Sequence, residues 1–156
     1  KANMLEEVSA FYGEHFAACD NQLTRLYDGE EKFLLRLKAR GIKTAIVTNK
    51  PQSATDGVYN KYLARFGFDK VIGQTEKYAL KPDPQSTLAV IEYFNVKNDE
   101  CLFVGDGETD VLTAKNAEIK CASVLWGFRS YEQLKAAGAK NFFTDYESLD
   151  KYVFDK

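Results

Sequence analysis

Histidine and cysteine are scarce in this sequence of 156 residues. His15 is the only histidine, which argues against a Ser-His-Asp triad and against a zinc site built from several histidines. The three cysteines, Cys19, Cys101 and Cys121, lie far apart and form no Cys-x-x-Cys pair, so a zinc or dithiol redox site is not indicated. We interpret them as reduced thiols in or near the core, and His15 as an ordinary residue on a helix surface.

The sequence also lacks a block of one charge and a long apolar run. Its 21 basic and 23 acidic residues are mixed along the chain and give a net charge of -2, which does not favour nucleic acid or an anionic membrane as a partner. No apolar run approaches the roughly 20 residues that cross a bilayer, and no basic-then-apolar export signal opens the sequence. We therefore expect a soluble, cytoplasmic protein with small-molecule partners.

Apolar residues are plentiful instead, at 45% of the chain, and their spacing predicts alternating helices and strands in one domain. Residues 4–26 have a nearly helical period that predicts one or two helices. Short β-branched or apolar runs predict strands at 42–48, 71–72, 101–105, 122–125 and 141–144, with helices at 33–39, 53–66, 84–94, 109–116, 131–137 and 146–152. This alternation predicts an α/β fold, a doubly wound parallel, Rossmann-like sheet with helices on both faces.

Three segments that follow predicted strands carry polar residues, and the ligands of open parallel sheets bind at the carboxyl ends of the strands. At the end of the first strand, Thr48 and Asn49 would present a hydroxyl and a backbone N–H to the crevice. Lys81 precedes Pro82, which favours an extended backbone at the lysine, and an ammonium group there can neutralise a phosphate. A turn or helix cap at 48–49 and a solvated lysine at 81 fit the same residues.

The most informative segment is Gly-Asp-Gly-Glu-Thr-Asp at 105–110, after the third predicted strand. It places two carboxylates four residues apart, and carboxylate oxygens are ligands that Mg2+ prefers. A polar turn, or a helix cap by Thr109 or Asp110, would use the same residues. An EF-hand is not favoured, because Val111 stands where its glycine would be and Ala117 where its closing Glu would be. A dinucleotide-binding Gly-x-Gly-x-x-Gly motif is not favoured either, since its third glycine is replaced by Asp110.

The order of these features, a strand followed by Thr, then Lys-Pro, then a strand followed by Gly-Asp-x-x-x-Asp, resembles that of the haloacid dehalogenase-like hydrolases. Three segments are similar to the phosphoglycolate phosphatases in particular: 104–117, Trp-Gly-Phe-Arg at 126–129 and Leu-Lys-Ala-Ala-Gly-Ala at 134–139. The resemblance covers nearly the whole chain. It implies that residues 1–27 are the C-terminal remnant of a helical cap and that residues 28–156 are a Rossmann-like hydrolase core.

The resemblance also implies roles for residues at the strand ends. In that family, an aspartate of an Asp-x-Asp-Gly motif attacks the phosphoryl group and forms an aspartyl-phosphate that water hydrolyses. Carried over to this sequence, Thr48 and the backbone of Asn49 would bind phosphoryl oxygens, and Lys81 would neutralise the developing charge. Asp106 and Asp110 would form the Mg2+ site, with Asp106 as a ligand and Asp110 orienting Lys81 or a metal-bound water.

Arg129, which follows the aromatic residues of 126–129, would bind an anionic group of the substrate, with Lys50 as a weaker candidate. A solvated arginine beside a packed aromatic loop fits the pattern as well. We expect a Mg2+-dependent phosphomonoester hydrolase for a small phosphorylated metabolite such as 2-phosphoglycolate. The alternatives are a phosphatase for a sugar phosphate, nucleotide or pyrophosphate, and a non-catalytic module that binds phosphate or metal.

The Asp-x-Asp-Gly motif of the family has no counterpart after an apolar strand of this sequence. In the family, the strand that carries it precedes the cap and lies between the strands that end here at Thr48 and Gly105. Because the sequence starts at Lys1 in the middle of a helical pattern, we expect that strand to lie upstream of it. We also expect the isolated chain to be inactive, and either to fold poorly, to self-associate through two unpaired sheet edges or to need the missing segment in trans.

Overall fold

The computed structural model describes residues 23–155 together with Met4, Glu7, Val8 and Phe11. These four residues are helical and exposed, and residues 23–27 form a turn and irregular chain. The rest of the predicted cap remnant lies outside the described residues, as do His15 and Cys19. Cys101 and Cys121 are free thiols of intermediate burial.

Helices and strands alternate from Glu30 onward, which confirms the predicted α/β class. In chain order the elements are α1 (Glu30–Ala39), β1 (Ala45–Pro51), α2 (Gln52–Val58), β2 (Lys70–Gln74), α3 (Gln85–Phe94), β3 (Leu102–Gly105), α4 (Glu108–Asn116), β4 (Lys120–Val124), α5 (Tyr131–Ala136), β5 (Phe142–Phe143) and α6 (Tyr146–Phe154). A π-helical turn (Tyr59–Leu63) and a 3-10 turn (Ala64–Phe66) follow α2, and a 3-10 turn (Asn98–Glu100) precedes β3. Within the described part of the chain, no helix is long and apolar enough to span a membrane.

All strand pairs are parallel, and the strands form two sheets, β1-β2 and β3-β4-β5. Alternate residues of β4 point to opposite faces, as the pleat requires. Ala122 and Val124 pack against α1 and α6, and Cys121 packs against the cluster formed by α4 and α5. The second sheet therefore carries helices on both faces, as predicted.

The bounds of β1 differ from the prediction. The strand begins at Ala45 because its pairing with β2 begins there, and Ile42 lies outside it with 40% of its surface exposed. It also continues to Pro51, with an irregular register between Val47 and Pro51. Thr48 and Asn49 therefore lie inside an irregular strand end, where extra residues bend the chain and redirect side chains.

The helix predicted at 53–66 was too long. The regular helix α2 ends at Val58, and the π-helical and 3-10 turns replace its second half. Phe66, the last residue of the 3-10 turn, is buried with only 3% of its surface exposed. Gly67, with φ +67°, ends the segment in the left-handed conformation.

Tyr146 joins the core between α1 and the β4–α5 connection. Its ring lies 5.6 Å from that of Phe33 and 4.7 Å from that of Trp126. Burial, and then the nearby charge of Glu30, raise the pKa of the Tyr146 hydroxyl above its ordinary value of 10.0. The folded state therefore favours the neutral phenol.

We expect this phenol to make the protein less stable at alkaline pH. Its stabilising contribution is complete below the ordinary pKa of the phenol and is lost as the pH rises toward the raised folded-state pKa. The difference in free energy of unfolding between wild type and Tyr146→Phe, measured by urea denaturation, should therefore shrink from about pH 8 to about pH 10.5. The control is Tyr93→Phe, at a residue that is 60% exposed. A difference for Tyr146→Phe that does not change with pH would contradict this prediction.

The two sheets are separated by a groove of about 940 Å3 between β1 and β3, which we call the inter-sheet groove. β1 pairs only with β2, and β3 only with β4, among the residues that the structure describes. Apolar side chains of α1, α3 and α6 line the groove, including Phe33, Leu37, Val90, Ile91, Tyr152 and Val153. One end of the groove reaches Lys81, Asp106 and Asp110.

Candidate functional site

A second cavity, of about 470 Å3, lies at the carboxyl ends of β1 and β3, and we call it the strand-end pocket. All six site residues predicted from the sequence line it. They are Thr48, Asn49, Lys81, Asp106, Asp110 and Arg129, and the other lining residues are Gly107, Glu108, Thr109 and Phe128. Lys50 is not among the lining residues. Segments that are far apart in sequence thus meet where the parallel strands end, as expected for a ligand site of such a sheet.

Lys81 and Asp110 form an ion pair at the inner wall of the pocket. Lys81 Nζ lies 2.6 Å from Asp110 Oδ1, and the two side chains are only 12% and 10% exposed. Asp110 Oδ2 accepts the backbone N–H of Gly107 at 3.0 Å. A Cβ at residue 105 would lie 2.5 Å from the carboxylate carbon of Asp110, so this close approach requires Gly105. Asp110 therefore holds the lysine and also contributes to capping α4.

Asn49 fixes the backbone of Lys81 through a reciprocal pair of hydrogen bonds. The side-chain amide of Asn49 donates to the carbonyl of Lys81 at 3.0 Å, and Lys81 N–H donates to Asn49 Oδ1 at 2.8 Å. Thr48 Oγ1 accepts the N–H of Lys50 at 3.2 Å, which leaves its hydroxyl proton available for a ligand. The lysine is thus held at its backbone and at its ammonium group.

Asp106 lies at the opposite wall and is held at one carboxylate oxygen. Its Oδ2 accepts the backbone N–H of Phe128 at 2.9 Å. Its Oδ1 has no hydrogen-bond donor among the residues that the structure describes. This oxygen is suited to a ligand or a cation in the pocket.

Glu108 and Arg129 form an ion pair at the mouth of the pocket, with Arg129 Nε 2.7 Å from Glu108 Oε2. A hydrogen bond from its own backbone N–H, followed by the arginine, lowers the pKa of the Glu108 carboxyl below its ordinary value of 4.5. The sequence analysis assigned no role to Glu108 or to the backbone of Phe128. Two features of the sequence could have pointed to them: Glu108 is an acidic residue in the first turn of a helix, and a glycine directly precedes Phe128.

The charges of the pocket favour a divalent cation. Three carboxylates line it, from Asp106, Glu108 and Asp110, against the two cationic groups of Lys81 and Arg129. The described residues contain no group of three or more His, Cys, Asp or Glu side chains that could hold a metal. Mg2+ does not need one, because it is usually held by one or two carboxylates together with waters and substrate phosphates. The donors of the pocket therefore fit Mg2+ with phosphate as a further ligand.

Comparison with known proteins agrees with this geometry. The chain is 32% identical over 123 residues to phosphoglycolate phosphatase 1 of Pseudomonas aeruginosa, covering 79% of this chain and 45% of that protein. It is 30% identical over 143 residues to the protein named "Putative pyrophosphatase PpaX" of Caldanaerobacter subterraneus, covering 91% of this chain and 64% of that protein. Among solved structures, that of a "putative phosphoglycolate phosphatase" from Lactobacillus delbrueckii is similar over the whole chain, with a TM-score of 0.92 and 27% identity.

The chain spans 45% to 65% of the length of these three proteins. The sequence model of one family, described as haloacid dehalogenase-like hydrolase, matches residues 1–124. That match covers β1, β3 and every predicted site residue except Arg129, and it confirms the resemblance drawn from the strand-end motifs. This chain belongs to the haloacid dehalogenase-like hydrolases.

Proposed function

We propose that this chain is the phosphate-binding part of a Mg2+-dependent phosphomonoester hydrolase of the phosphoglycolate phosphatase type. The observation that carries the proposal is the buried Lys81–Asp110 pair, which lies in one pocket with the hydroxyl of Thr48 and the carboxylate of Asp106. Phosphoryl transfer requires positioned groups and compensation of charge more than covalent chemistry by the protein. This pocket offers both.

Each residue has a distinct task in this proposal. The hydroxyl of Thr48 and the backbone N–H of Asn49 bind phosphoryl oxygens. The ammonium group of Lys81 neutralises charge that develops on them, and Asp110 keeps that group in place. Asp106 would hold the cation through Oδ1, with Asp110 beside it. Mg2+, when bound there, supplies further positive charge to the phosphoryl group.

The nucleophile of this mechanism is an aspartate on a strand that occupies the inter-sheet groove. The groove separates two strands whose facing edges have no pairing partner among the described residues, and its lining is largely apolar, as the surroundings of a buried parallel strand are. Its end at Lys81 and Asp106 is where the carboxyl end of such a strand would lie. The strand would come from outside the residues that the structure describes.

A phosphatase assay with Mg2+ tests the proposal on a panel that contains 2-phosphoglycolate, sugar phosphates, nucleotides and pyrophosphate. We expect no activity from residues 1–156 alone, and activity from a longer chain that supplies the groove strand, which we call the full-length protein. Activity in the isolated chain would place the nucleophile among its own residues. No activity in either form would favour the non-catalytic binding module.

Arg129 gives the proposed site a preference for substrates with a second anionic group. Its Nε is bound to Glu108, while its two Nη groups have no acceptor among the described residues. Those groups can bind a carboxylate in a fork geometry, as 2-phosphoglycolate would offer. A second phosphoryl group would fit the same fork, and the relative named as a pyrophosphatase makes pyrophosphate the second candidate substrate.

We expect Arg129→Gln to raise KM for 2-phosphoglycolate about tenfold, because a half-exposed charged hydrogen bond contributes roughly 1 to 2 kcal/mol. At saturating Mg2+, the KM for p-nitrophenyl phosphate, which has no second anionic group, should change much less. Arg65→Gln is the matched control, since Arg65 forms a similarly exposed pair with Glu31 at 3.0 Å outside the pocket. Equal increases in KM for both substrates would contradict a role in recognising the second group.

A further inference from the structure

The loop of residues 126–129, between β4 and α5, lies directly against the carboxylate of Asp106. At Gly127 there is no room for a side chain: a Cβ built there would overlap Cβ, Cγ and Oδ2 of Asp106, far inside van der Waals contact. The backbone of Gly127 does not have a positive φ, so the constraint on this glycine is space alone. The main chain of the loop therefore packs against one side of the Asp106 side chain.

The next residue supplies the only hydrogen bond to Asp106 among the residues that the structure describes. The backbone N–H of Phe128 donates to Oδ2 at 2.9 Å. The ring of Phe128 is 90% exposed, so the contact to the carboxylate comes from its backbone. Because Oδ2 is engaged and Gly127 blocks one side, the position of Oδ1 in the pocket is fixed.

Both ends of this loop are anchored, which keeps the N–H in place before any ligand binds. Trp126 packs on Tyr146, with ring centroids 4.7 Å apart. Arg129 is tied to Glu108 on α4. Directly after it, Ser130 caps α5, and its N–H donates to the side chain of Gln133 at 2.9 Å. The donor to Asp106 thus lies in a connection that is held by contacts at both ends.

We infer that Gly127 and the backbone N–H of Phe128 are positioning groups for Asp106, and that they set the affinity of the pocket for its divalent cation. This inference rests on the proposed function, in which Asp106 binds the cation. Groups that orient a metal ligand without touching the metal change metal affinity by about 10- to 100-fold when they are removed. A methyl group at residue 127 must displace the Asp106 carboxylate, so it should have an effect of that size.

The test is the binding of Mn2+ to the full-length protein, measured by electron paramagnetic resonance without substrate. Gly127→Ala should weaken Mn2+ binding about 10- to 100-fold. The matched control is Gly57→Ala, on α2, where a Cβ meets nothing within 4 Å and the backbone is not in the positive-φ region. Its Mn2+ affinity should equal that of the wild type.

A second variant keeps the inference testable if Gly127→Ala does not fold. Arg129→Gln loosens the loop without adding bulk and removes a positive charge near the pocket. If only the lost charge matters, Arg129→Gln should strengthen cation binding. If the position of Asp106 matters, Arg129→Gln should weaken cation binding, although less than Gly127→Ala does. If the wild type binds Mn2+ and neither variant binds it more weakly, the inference is overturned while the proposed function stands. If the wild type binds no Mn2+, the proposed metal site fails and the inference fails with it.

Discussion

Replacing Asp106 with asparagine should lower kcat of the full-length protein toward 2-phosphoglycolate on the order of 10³-fold. Asparagine has nearly the same shape and can still accept the N–H of Phe128, so the loop should stay in place. The change removes the negative charge that would bind the cation. We therefore expect weaker Mn2+ binding and a higher requirement for Mg2+, with an unchanged melting temperature.

The control for this prediction is Asp56→Asn on α2. Asp56 Oδ1 accepts the side-chain amide of Gln52 at 2.7 Å, and asparagine keeps that acceptor. The same loss of charge outside the pocket should leave kcat and the Mg2+ requirement unchanged. If Asp106→Asn kept kcat within about tenfold of the wild type, Asp106 would not be a ligand of a catalytic cation.

The presence of a strand in the inter-sheet groove should have a large effect on the stability and the self-association of the protein. Within the part that the structure describes, the isolated chain of residues 1–156 has two unpaired parallel edges and an apolar groove between them. We expect it to self-associate and to melt at least about 10 °C below the full-length protein, because a buried strand adds several kcal/mol of apolar burial and hydrogen bonding. Sedimentation velocity and thermal denaturation of the two forms measure these differences.

A charged residue on one strand edge tests whether the groove causes the self-association. Val104, on β3, is 42% exposed and lines the groove. Val104→Lys should reduce self-association of the isolated chain, since a charged residue on an edge strand opposes pairing with a second chain. Leu88→Lys is the matched control, because Leu88 is 41% exposed on α3 and does not line the groove. A monomeric isolated chain with cooperative unfolding at a high temperature would contradict the role of the groove.

Local patterns in the sequence predicted the alternation of elements, and together with the resemblance to a known family they predicted the residues that meet in the pocket. Short β-branched runs followed by helical periods indicate a parallel sheet, and its strand ends must lie together at one edge. The start of β1 could not be predicted in this way. It depends on where β2 begins to pair with it, at Ala45 and Lys70, and the sequence of one strand does not contain that register.

The parts of the site that escaped prediction depend on contacts between distant segments. Glu108 resembles any acidic residue in the first turn of a helix, and only the fold brings Arg129 to it across 21 residues. The contribution of Phe128 comes from its backbone, which has the same chemistry in every residue except proline. The side-chain type at position 128 therefore carried no information about the contact with Asp106.

The excess of carboxylates in the strand-end pocket has a consequence for kinetics. With three carboxylates against two cationic groups, the described residues repel a phosphate dianion before a cation is bound. We therefore expect the cation to enter the pocket before the ester. At low Mg2+ the ester would then bind weakly, and its KM should fall as the Mg2+ concentration is raised.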